Sequence, residues 1–272
     1  MKPAAFDYLR AESADEVVAA LAQAGEDARV LAGGQSLMTM LNMRLAQPAQ
    51  LIDISRLADL DYVKIAGDRL VIGAAVTQAS VEWRAGLNQE VPLLKLAFPH
   101  ISHFQIRNRG TVCGSIAHAD PTAELALCLA ALDGEVVLRS QAGRRVVKAA
   151  DFFQGMLLTA RRADELLEEV RYPLRLEGWR YGFAEFAARH GDFAIVAVAA
   201  VMRPDEIRLA VGGVADRPVV KRLPRLAGAA LQTAINDFAW ELDAQSDRQA
   251  TAEFRRHLLR RLAHRVMQEA NA

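Results

Sequence analysis

The sequence lacks the features that mark secreted, membrane-spanning or polyanion-binding proteins. Its 272 residues include only two cysteines, Cys113 and Cys128, which are too few for a disulfide framework and have no metal-type spacing. No uncharged apolar run is long enough to cross a membrane, and the N-terminus has no signal-peptide pattern. Lys plus Arg equals Asp plus Glu, so there is no basic excess for nucleic acid. We therefore expect a cytoplasmic protein with no integral membrane segment and no nucleic-acid partner.

Common nucleotide-binding and catalytic signatures are also missing. The candidate turns contain neither the Gly-Lys-Ser/Thr ending of a Walker loop nor a Gly-x-Gly-x-x-Gly fingerprint. His100, His103 and His118 have no metal-like spacing with each other or with the cysteines. No Ser/His/Asp arrangement can be recognised. We therefore predict no metal site and no residue that acts on a substrate as acid, base or nucleophile.

The first third of the chain alternates helix and strand signals. Ser13 precedes an apolar helical pattern, with Glu16 three residues later, which predicts a capped helix ending at Gly25. The short apolar run 30–32 predicts a strand that stops at Gly33-Gly34. A helix is expected from Ser36 to Leu45 and a strand over residues 51–54. This order predicts a small α+β or α/β unit with a tight turn after a strand.

The middle third begins with a hairpin pattern around Gly67-Asp68. Thr77 reads as the N-cap of a helix, and a second helix is expected over residues 91–98. The segment 102–120 carries no clean amphipathic period, and long irregular segments in compact domains are often functional. Pro121 suits the first turn of a helix that continues to Leu132.

Beyond residue 151, successive strand patterns appear between residues 165 and 211, with Gly212-Gly213 as a turn. A helical tail follows, and its basic run 255–261 is interpreted as the solvated face of that helix. We expect a domain boundary near residues 173–178 and a final unit made of a sheet covered by helices.

Two segments carry candidate cofactor chemistry. In residues 32–37, Ala-Gly-Gly-Gln-Ser-Leu, two glycines between a strand and a helix would let backbone amides approach a phosphate. In residues 109–121, the hydroxyls of Thr111 and Ser115 bracket Gly114, and Asp120 or Glu124 could accept hydrogen bonds from ribose hydroxyls. Each segment alone is also consistent with an ordinary turn or capped-helix entry.

Together the two segments resemble the FAD-binding domain of the molybdenum hydroxylase family (xanthine dehydrogenase, carbon monoxide dehydrogenase and relatives) in its separate medium-subunit form. Members carry Ala-Gly-Gly-Gln/His-Ser-Leu early and Thr-Ile-Gly-Gly-Ser/Asn further on; the counterparts here are residues 32–37 and 111–115. The resemblance extends to Ile-Asp-Ile at 52–54, Ala-His-Ala-Asp-Pro at 117–121 and Gly-Asp-Phe-Ala at 191–194, and covers nearly the whole chain.

The resemblance implies an α+β fold. A PCMH-type FAD-binding domain would occupy residues 1–175, in subdomains of about 1–57 and 58–175. A CO dehydrogenase flavoprotein-like C-terminal domain, an antiparallel sheet with helices, would occupy residues 176–272.

The same resemblance implies which residues contact FAD. The backbone of residues 32–36 and 111–115 would wrap the pyrophosphate, and Glu124 would face the sugar or ribityl portion. Ile101 would lie beside the adenine, Leu167 near the flavin end and Phe193 close to the isoalloxazine ring. The full predicted cofactor-binding set is Ala32, Gly33, Gly34, Gln35, Ser36, Leu37, Ile101, Thr111, Gly114, Ser115, His118, Asp120, Glu124, Leu167 and Phe193.

Two departures from the family pattern stand out. Cys113 replaces the first glycine of the Gly-Gly pair, so a Cβ is expected to be tolerated there and the thiol to be packed. Relatives often have Lys and Arg shortly before the Gly-Asp-Phe run, whereas this chain has Glu185 and Ala188, with Arg189 and His190 as the nearby bases. Because charge near the ring tunes a flavin, this departure argues against direct NAD reduction.

The implied activity is electron transfer within a hetero-oligomer. A molybdopterin large subunit would hydroxylate the substrate, and an iron–sulfur small subunit would carry electrons through [2Fe-2S] clusters to this FAD, which would pass them to an external acceptor. Two cysteines cannot ligate a cluster here. The alternatives are a stand-alone FAD-dependent oxidoreductase of the same broad group and a non-catalytic assembly protein whose Gly-Gly turns are structural.

Overall fold

The computed structural model describes residues 2–271, which form three sheets and a short hairpin interleaved with helices. The strands are β1 (Asp7–Arg10), β2 (Ala28–Leu31), β3 (Gln50–Asp53), β4 (Val63–Ala66), β5 (Arg69–Gly73), β6 (Glu135–Ser140), β7 (Gly143–Lys148), β8 (Phe153–Gly155), β9 (Leu158–Thr159), β10 (Leu166–Pro173), β11 (Arg180–Phe186), β12 (Val196–Met202), β13 (Glu206–Gly212) and β14 (Val219–Pro224).

The helices vary from single turns to a long C-terminal helix. They are α1 (Ala14–Ala24), α2 (Leu37–Asn42), α3 (Gln78–Glu82), α4 (Leu87–Glu90), α5 (Pro92–Ala97), α6 (Phe104–Arg107), α7 (Val112–His118), α8 (Glu124–Ala131), α9 (Ala149–Phe152), α10 (Gly228–Glu241) and α11 (Ala252–Asn271). Short 3-10 turns occupy Gly25–Asp27, Ala58–Leu60 and Phe98–His100.

The first sheet is parallel, in the order β1-β3-β2. Helix α1 connects β1 to β2; its N-terminus is capped by Ser13, whose hydroxyl accepts from the Glu16 N–H, and it ends at Gly25 with a φ of 55°. Strand β2 ends at Leu31, so the Gly33-Gly34 turn follows the carboxyl end of a parallel strand. That edge is where open sheets containing parallel strands commonly bind ligands.

The second sheet is antiparallel, in the order β4-β5-β10-β6-β7. Next to it lies α8, every residue of which is buried. A helix that is apolar on all sides needs neighbours on all sides, and α8 packs against α5, α7 and strands β12 and β13 of the third sheet. Helix α8 is therefore the central element between the second and third sheets, and Glu124 is its first residue.

The third sheet is an antiparallel meander in the order β11-β12-β13-β14. Alternate residues of β12 face two different cores. Ala197, Ala199 and Val201 belong to the core shared with the N-terminal part of the chain, whereas Val196, Val198 and Ala200 pack with the core that contains α10 and α11. This arrangement confirms the predicted α+β class with a C-terminal antiparallel sheet and helices.

Several predicted elements are confirmed with small shifts at their ends, including α1, the hairpin around Gly67 and the helix capped by Thr77. The segment 102–120 was predicted to be irregular, which is wrong, since it contains α6 and α7. These helices have 4 and 7 residues, too few to display an amphipathic period. Pro121 does not lie in the first turn of α8, which begins at Glu124 with Ala123 as its N-cap. Strands β6 and β7 and helix α10 were not predicted.

The interpretation of the C-terminal basic run as a solvated face is wrong for Arg255, which is 4% exposed. Its guanidinium donates to the carbonyl oxygens of Ile195 and Gly213 and to the Asp247 carboxylate. A buried arginine of this kind is held by specific acceptors, which helical periodicity does not reveal. Arg256 and Arg260 instead lie over the ring of the exposed Trp240.

Candidate cofactor site

The first predicted loop, residues 32–37, presents a run of free backbone donors. Within residues 2–271, none of the backbone N–H groups from Gly33 to Leu37 donates a hydrogen bond. Gly34 has a φ of 73°, which turns the chain back on itself after β2, and the Gln35 side chain donates to the Gly33 carbonyl oxygen at 3.2 Å. Consecutive free amides in such a turn form a concave site for an anion. Because α2 has only 6 residues, we attribute the attraction for an anion to these loop amides and not to the dipole of the helix.

The second predicted loop is the first turn of α7. Thr111 is its N-cap, and the Thr111 hydroxyl accepts from the Gly114 N–H at 2.9 Å. A Cβ at Gly114 would lie 2.7 Å from that hydroxyl, so a glycine is needed there, whereas the Cys113 side chain points into the core and its thiol approaches the Ile72 carbonyl oxygen at 3.4 Å. The structure thus accommodates the Cβ of Cys113, as expected, whereas a Cβ at position 114 would meet the capping hydroxyl of Thr111.

The two loops are in direct contact. A Cβ at Gly33 would lie 2.7 Å from the Gly110 Cα and closer still to the Arg109 carbonyl oxygen. The second loop is held in turn by the Val76–Gln78 segment: Val112 N–H donates to the Val76 carbonyl oxygen at 3.2 Å and Gln78 N–H to the Gly110 carbonyl oxygen at 2.7 Å. Two segments far apart in the sequence therefore form one backbone-lined cradle.

Glu124 is a buried carboxylate without a protein counter-charge. Apart from its own backbone N–H, it has no hydrogen bond or ion pair within residues 2–271, and it is 9% exposed. Burial, with smaller contributions from the negative charges of Glu185 and Asp120, raises the pKa of Glu124 to about 8, although the hydrogen bond from its own backbone N–H opposes the shift. Such a group needs hydrogen-bond partners that the chain does not supply.

Glu185 lies on the neighbouring strand β11, and one of its oxygens, Oε2, is also buried without a partner. Its other oxygen is 3.5 Å from Nδ1 of His100, whose ring packs against Phe183. Spacing in the sequence did not predict this imidazole–carboxylate contact, because the two residues belong to separate elements.

The remaining predicted residues have different environments. Asp120 is engaged locally, since its Oδ1 accepts from the Thr122 N–H and hydroxyl. Burial lowers the pKa of His118, at the end of α7, while Asp120 opposes that shift. Ile101 and Leu167 are buried in the main core at 6% and 4% exposure. Leu167 lies on β10, which packs against α7, the helix whose first turn forms the second loop.

Phe193 is 67% exposed, yet its neighbours in sequence are tied to the second loop. A Cβ at Gly213 would lie 2.7 Å from the Ile195 carbonyl oxygen, and Gly213 N–H donates to the Pro121 carbonyl oxygen at 2.8 Å. On the other side of this loop, the β8–β9 hairpin contributes an N–H from Leu157 to the Ala119 carbonyl oxygen. Met156, Leu157 and Leu158 are all exposed, so apolar side chains flank the segment that follows α7. The sequence did not identify this hairpin.

Other parts of the chain are weaker candidates for a ligand site. A cavity of about 420 Å³ is lined by Asp15, Tyr62, Lys64, Arg139, Arg144 and Glu168 among others, and contains no residue of either loop. Its charges are matched in ion pairs such as Arg139–Glu168 and Arg144–Glu168. Within residues 2–271, no group of His, Cys, Asp or Glu side chains is placed to hold a metal ion. The same residues contain no helix that could cross a membrane.

These features fit FAD as a ligand. Free loop amides suit the pyrophosphate, the buried carboxylate of Glu124 suits ribose or ribityl hydroxyls, and exposed apolar side chains beside Asp120 suit a flat aromatic ring. The glycine at position 33 lets the two loops lie in contact, because a side chain there would collide with the second loop.

Comparison with known proteins gives matches over nearly the whole chain. Residues 4–175 match the family described as "FAD binding domain in molybdopterin dehydrogenase", and residues 181–270 match "CO dehydrogenase flavoprotein C-terminal domain". The nicotine 6-hydroxylase medium subunit of Paenarthrobacter nicotinovorans is 38% identical over 261 residues, which cover 91% of each chain. The glyceraldehyde dehydrogenase medium chain of Sulfolobus acidocaldarius is 33% identical over 99% of each chain.

Among solved structures, a chain of carbon monoxide dehydrogenase from Hydrogenophaga pseudoflava superposes with a TM-score of 0.94. It shares 31% sequence identity, and the match covers 99% of this chain and 98% of that one.

Proposed function

The chain belongs to the FAD-binding family of molybdopterin dehydrogenases, as a flavoprotein medium subunit of the molybdenum hydroxylase type, and from this we propose that it relays electrons through FAD. In this role it takes electrons from an iron–sulfur partner and passes them to an external acceptor. The single observation that carries the proposal is the contact between the two glycine-containing loops at Gly33 and Gly110, which makes one cradle from two weak motifs.

Bound FAD supplies the redox chemistry, and the chain's own residues supply binding and shielding. The free N–H groups of residues 33–37 would bind the pyrophosphate, together with the first turn of α7, where the Cys113 N–H donates to no residue within 2–271. Glu124 accepts hydrogen bonds from sugar or ribityl hydroxyls, which offsets the cost of burying its carboxylate. Ile101 and Leu167 provide apolar walls, and Phe193 covers the ring system.

The proposed partners are an iron–sulfur small subunit with [2Fe-2S] clusters and a molybdopterin large subunit. A [2Fe-2S] cluster needs four ligands, normally cysteines, whereas both cysteines of this chain are buried in its core. Electrons entering from a cluster must therefore come from another polypeptide. The exposed hairpin tip at residues 156–158 and the exposed Phe193 border the cofactor segment, where a partner or acceptor can approach.

The family membership also supports a proposed domain division and a proposed cellular location. We place the FAD-binding domain at residues 1–175, with subdomains of about 1–57 and 58–175, and the C-terminal domain at 176–272. The first two sheets lie in the first part, and the third lies in the second. Reduced, buried thiols are consistent with a cytoplasmic complex.

The test is to purify the chain alone and after co-expression with the products of adjacent genes. Visible spectra and mass analysis after denaturation would identify any released cofactor. FAD in near-equimolar amount, with iron and molybdenum only in the co-purified complex, is the expected result. Free-standing turnover of a substrate by the chain alone would favour an independent oxidoreductase. A colourless chain that stays without FAD in the assembled complex and in excess FAD would leave only a structural role for the two loops.

A further inference from the structure

Gln78 lies at the joint between the two loops. It is the first residue of α3, directly after the N-cap Thr77, which forms an isolated antiparallel bridge with Thr111. Its backbone N–H donates to the Gly110 carbonyl oxygen at 2.7 Å. A Cβ at Gly110 would lie 3.5 Å from both Cδ and Nε2 of the Gln78 side chain. The carboxamide is therefore packed beside the glycine whose Cα touches Gly33.

The side chain of Gln78 is polar, buried and unsatisfied. The residue is 6% exposed, and its Oε1 has no hydrogen-bond partner. Its Nε2 likewise donates to no residue within 2–271. A buried carbonyl oxygen without a donor, such as Oε1 here, destabilises the apo fold. Rotation of the amide by 180° exchanges Oε1 and Nε2, so the group can present a donor to either side.

Neither apolar packing nor local structure accounts for this residue. Its backbone N–H would hold Gly110 with any side chain except proline. Nearby, the buried Arg107 is fully engaged with Glu82 and the Ile101 carbonyl oxygen, so it does not compete for the Gln78 amide. The carboxamide is thus a hydrogen-bonding group beside an anion cradle, with no partner in the protein itself.

We propose that Gln78 is a cofactor-binding residue, whose side-chain amide donates a hydrogen bond to the pyrophosphate held between the two loops. The inference rests on the proposed function, since it requires a pyrophosphate-bearing ligand in the cradle. The Nε2 donor then has an acceptor only in the loaded protein. The amide adds a neutral donor to the backbone N–H groups, which matches the absence of any Lys or Arg in residues 32–37 and 111–115.

The proposal predicts that apo stability and ligand affinity move in opposite directions. Gln78→Met keeps the length of the side chain and the backbone N–H but removes the unsatisfied amide. We expect its apo thermal midpoint to be unchanged or a few degrees higher, by about 1–4 °C. FAD affinity, measured by flavin fluorescence quenching on the full chain, should fall about tenfold or more. ADP, which carries the same pyrophosphate, should lose affinity by a similar factor.

Gln78→Glu and Gln89→Met complete the experiment. A carboxylate at position 78 would repel phosphate, so its FAD affinity should fall further than that of Gln78→Met. Gln89 is exposed on α4, and its variant should bind FAD and ADP as the unaltered chain does.

If the unaltered chain binds FAD but Gln78→Met binds it equally well, the inference fails and the proposed function stands. A Gln78→Met variant that loses affinity for FAD but not ADP overturns the phosphate contact. If the unaltered chain binds no FAD, the proposed function fails with it.

Discussion

The backbone N–H of Gly213 donates to the carbonyl oxygen of Pro121 at 2.8 Å. This bond joins the end of β13 in the third sheet to the segment between Asp120 and Glu124. Because the Gly213 carbonyl oxygen accepts in turn from Arg255, helix α11 is linked to the predicted cofactor site through two consecutive hydrogen bonds. The C-terminal sheet and its helices thus support the side of the site where Phe193 lies.

Replacing Arg255 with Met should therefore destabilise the protein and weaken FAD binding. The change leaves the carbonyl oxygens of Ile195 and Gly213 buried without their donor, and we expect a loss of about 2–4 kcal/mol in the free energy of unfolding. Urea unfolding measures this loss of stability. Arg261→Met, at an exposed position of the same helix, should change stability by less than about 0.5 kcal/mol. Equal losses for the two variants would contradict the role given to Arg255.

Gly33→Ala should separate the two loops. The new methyl group would lie 2.7 Å from the Gly110 Cα, so the cradle has to open. We expect FAD affinity to fall at least about tenfold and the unfolding free energy to fall by about 1–3 kcal/mol. Gly67→Ala is the control, because it strains a positive φ at a hairpin with open space around it. It should lower stability by about 1 kcal/mol without altering FAD affinity.

Glu124 should make apo stability fall as pH rises. Burial raises its pKa from the ordinary value of 4.5 to about 8, so the folded state holds the proton more tightly than the unfolded state. Stability is then greatest below the unfolded pKa, falls between about pH 4.5 and 8, and changes no further above the folded pKa. The stability of Glu124→Gln relative to the unaltered protein should therefore rise across this range, by roughly 5 kcal/mol between pH 4.5 and pH 8.5.

Urea unfolding of the apo protein at pH 5 and pH 8.5 measures this difference. Glu177→Gln, at an exposed position, is the matched control. The contradicting result is a difference in unfolding free energy between Glu124→Gln and the unaltered protein that is the same at both pH values. It would show that the folded protein does not hold Glu124 protonated. The same variant should also bind FAD more weakly, because an amide is a poorer acceptor for sugar hydroxyls than a carboxylate.

Both thiols should be inert in the native protein. Cys113 and Cys128 are buried and free, and burial raises the pKa of each thiol above its ordinary value. A chromogenic disulfide reagent should therefore find no reactive thiol in the native state and two in denaturant, the number in the sequence. Rapid native labelling of either residue would mean that the core around α7 and α8 opens.

Phe193→Ala should change the bound flavin with little effect on the fold. Because the side chain is 67% exposed, we expect the apo unfolding free energy to change by less than about 0.5 kcal/mol. If the ring lies against the isoalloxazine, the visible spectrum of bound FAD should shift and its fluorescence quenching should decrease. Phe193→Tyr retains the ring and should restore both signals. An unchanged spectrum for Phe193→Ala would remove Phe193 from the site.

Elements governed by local chemistry could be predicted from the sequence. Ser13 and Thr77 cap helices through hydrogen bonds to residues three positions away, and both caps are present as expected. The Gly67 hairpin and the C-terminal helical tail are likewise confirmed. Helices α6 and α7 were missed because a single turn or two is too short to produce a period that a pattern can show. The contacts of Phe193 and Leu167 with a cofactor remain predictions.

The sequence by itself determined the strand–Gly-Gly–helix turn, the helix caps at Ser13 and Thr77 and the family resemblance, because each depends on residues close together in the chain. Only the tertiary structure decided that Gly33 touches Gly110, that Glu124 has no counter-charge, that Gln78 has no partner and that Arg255 points inward. These relationships join residues from separate sheets and helices. They depend on how the apolar faces of α8, α11 and the three sheets pack, and no local pattern encodes that packing.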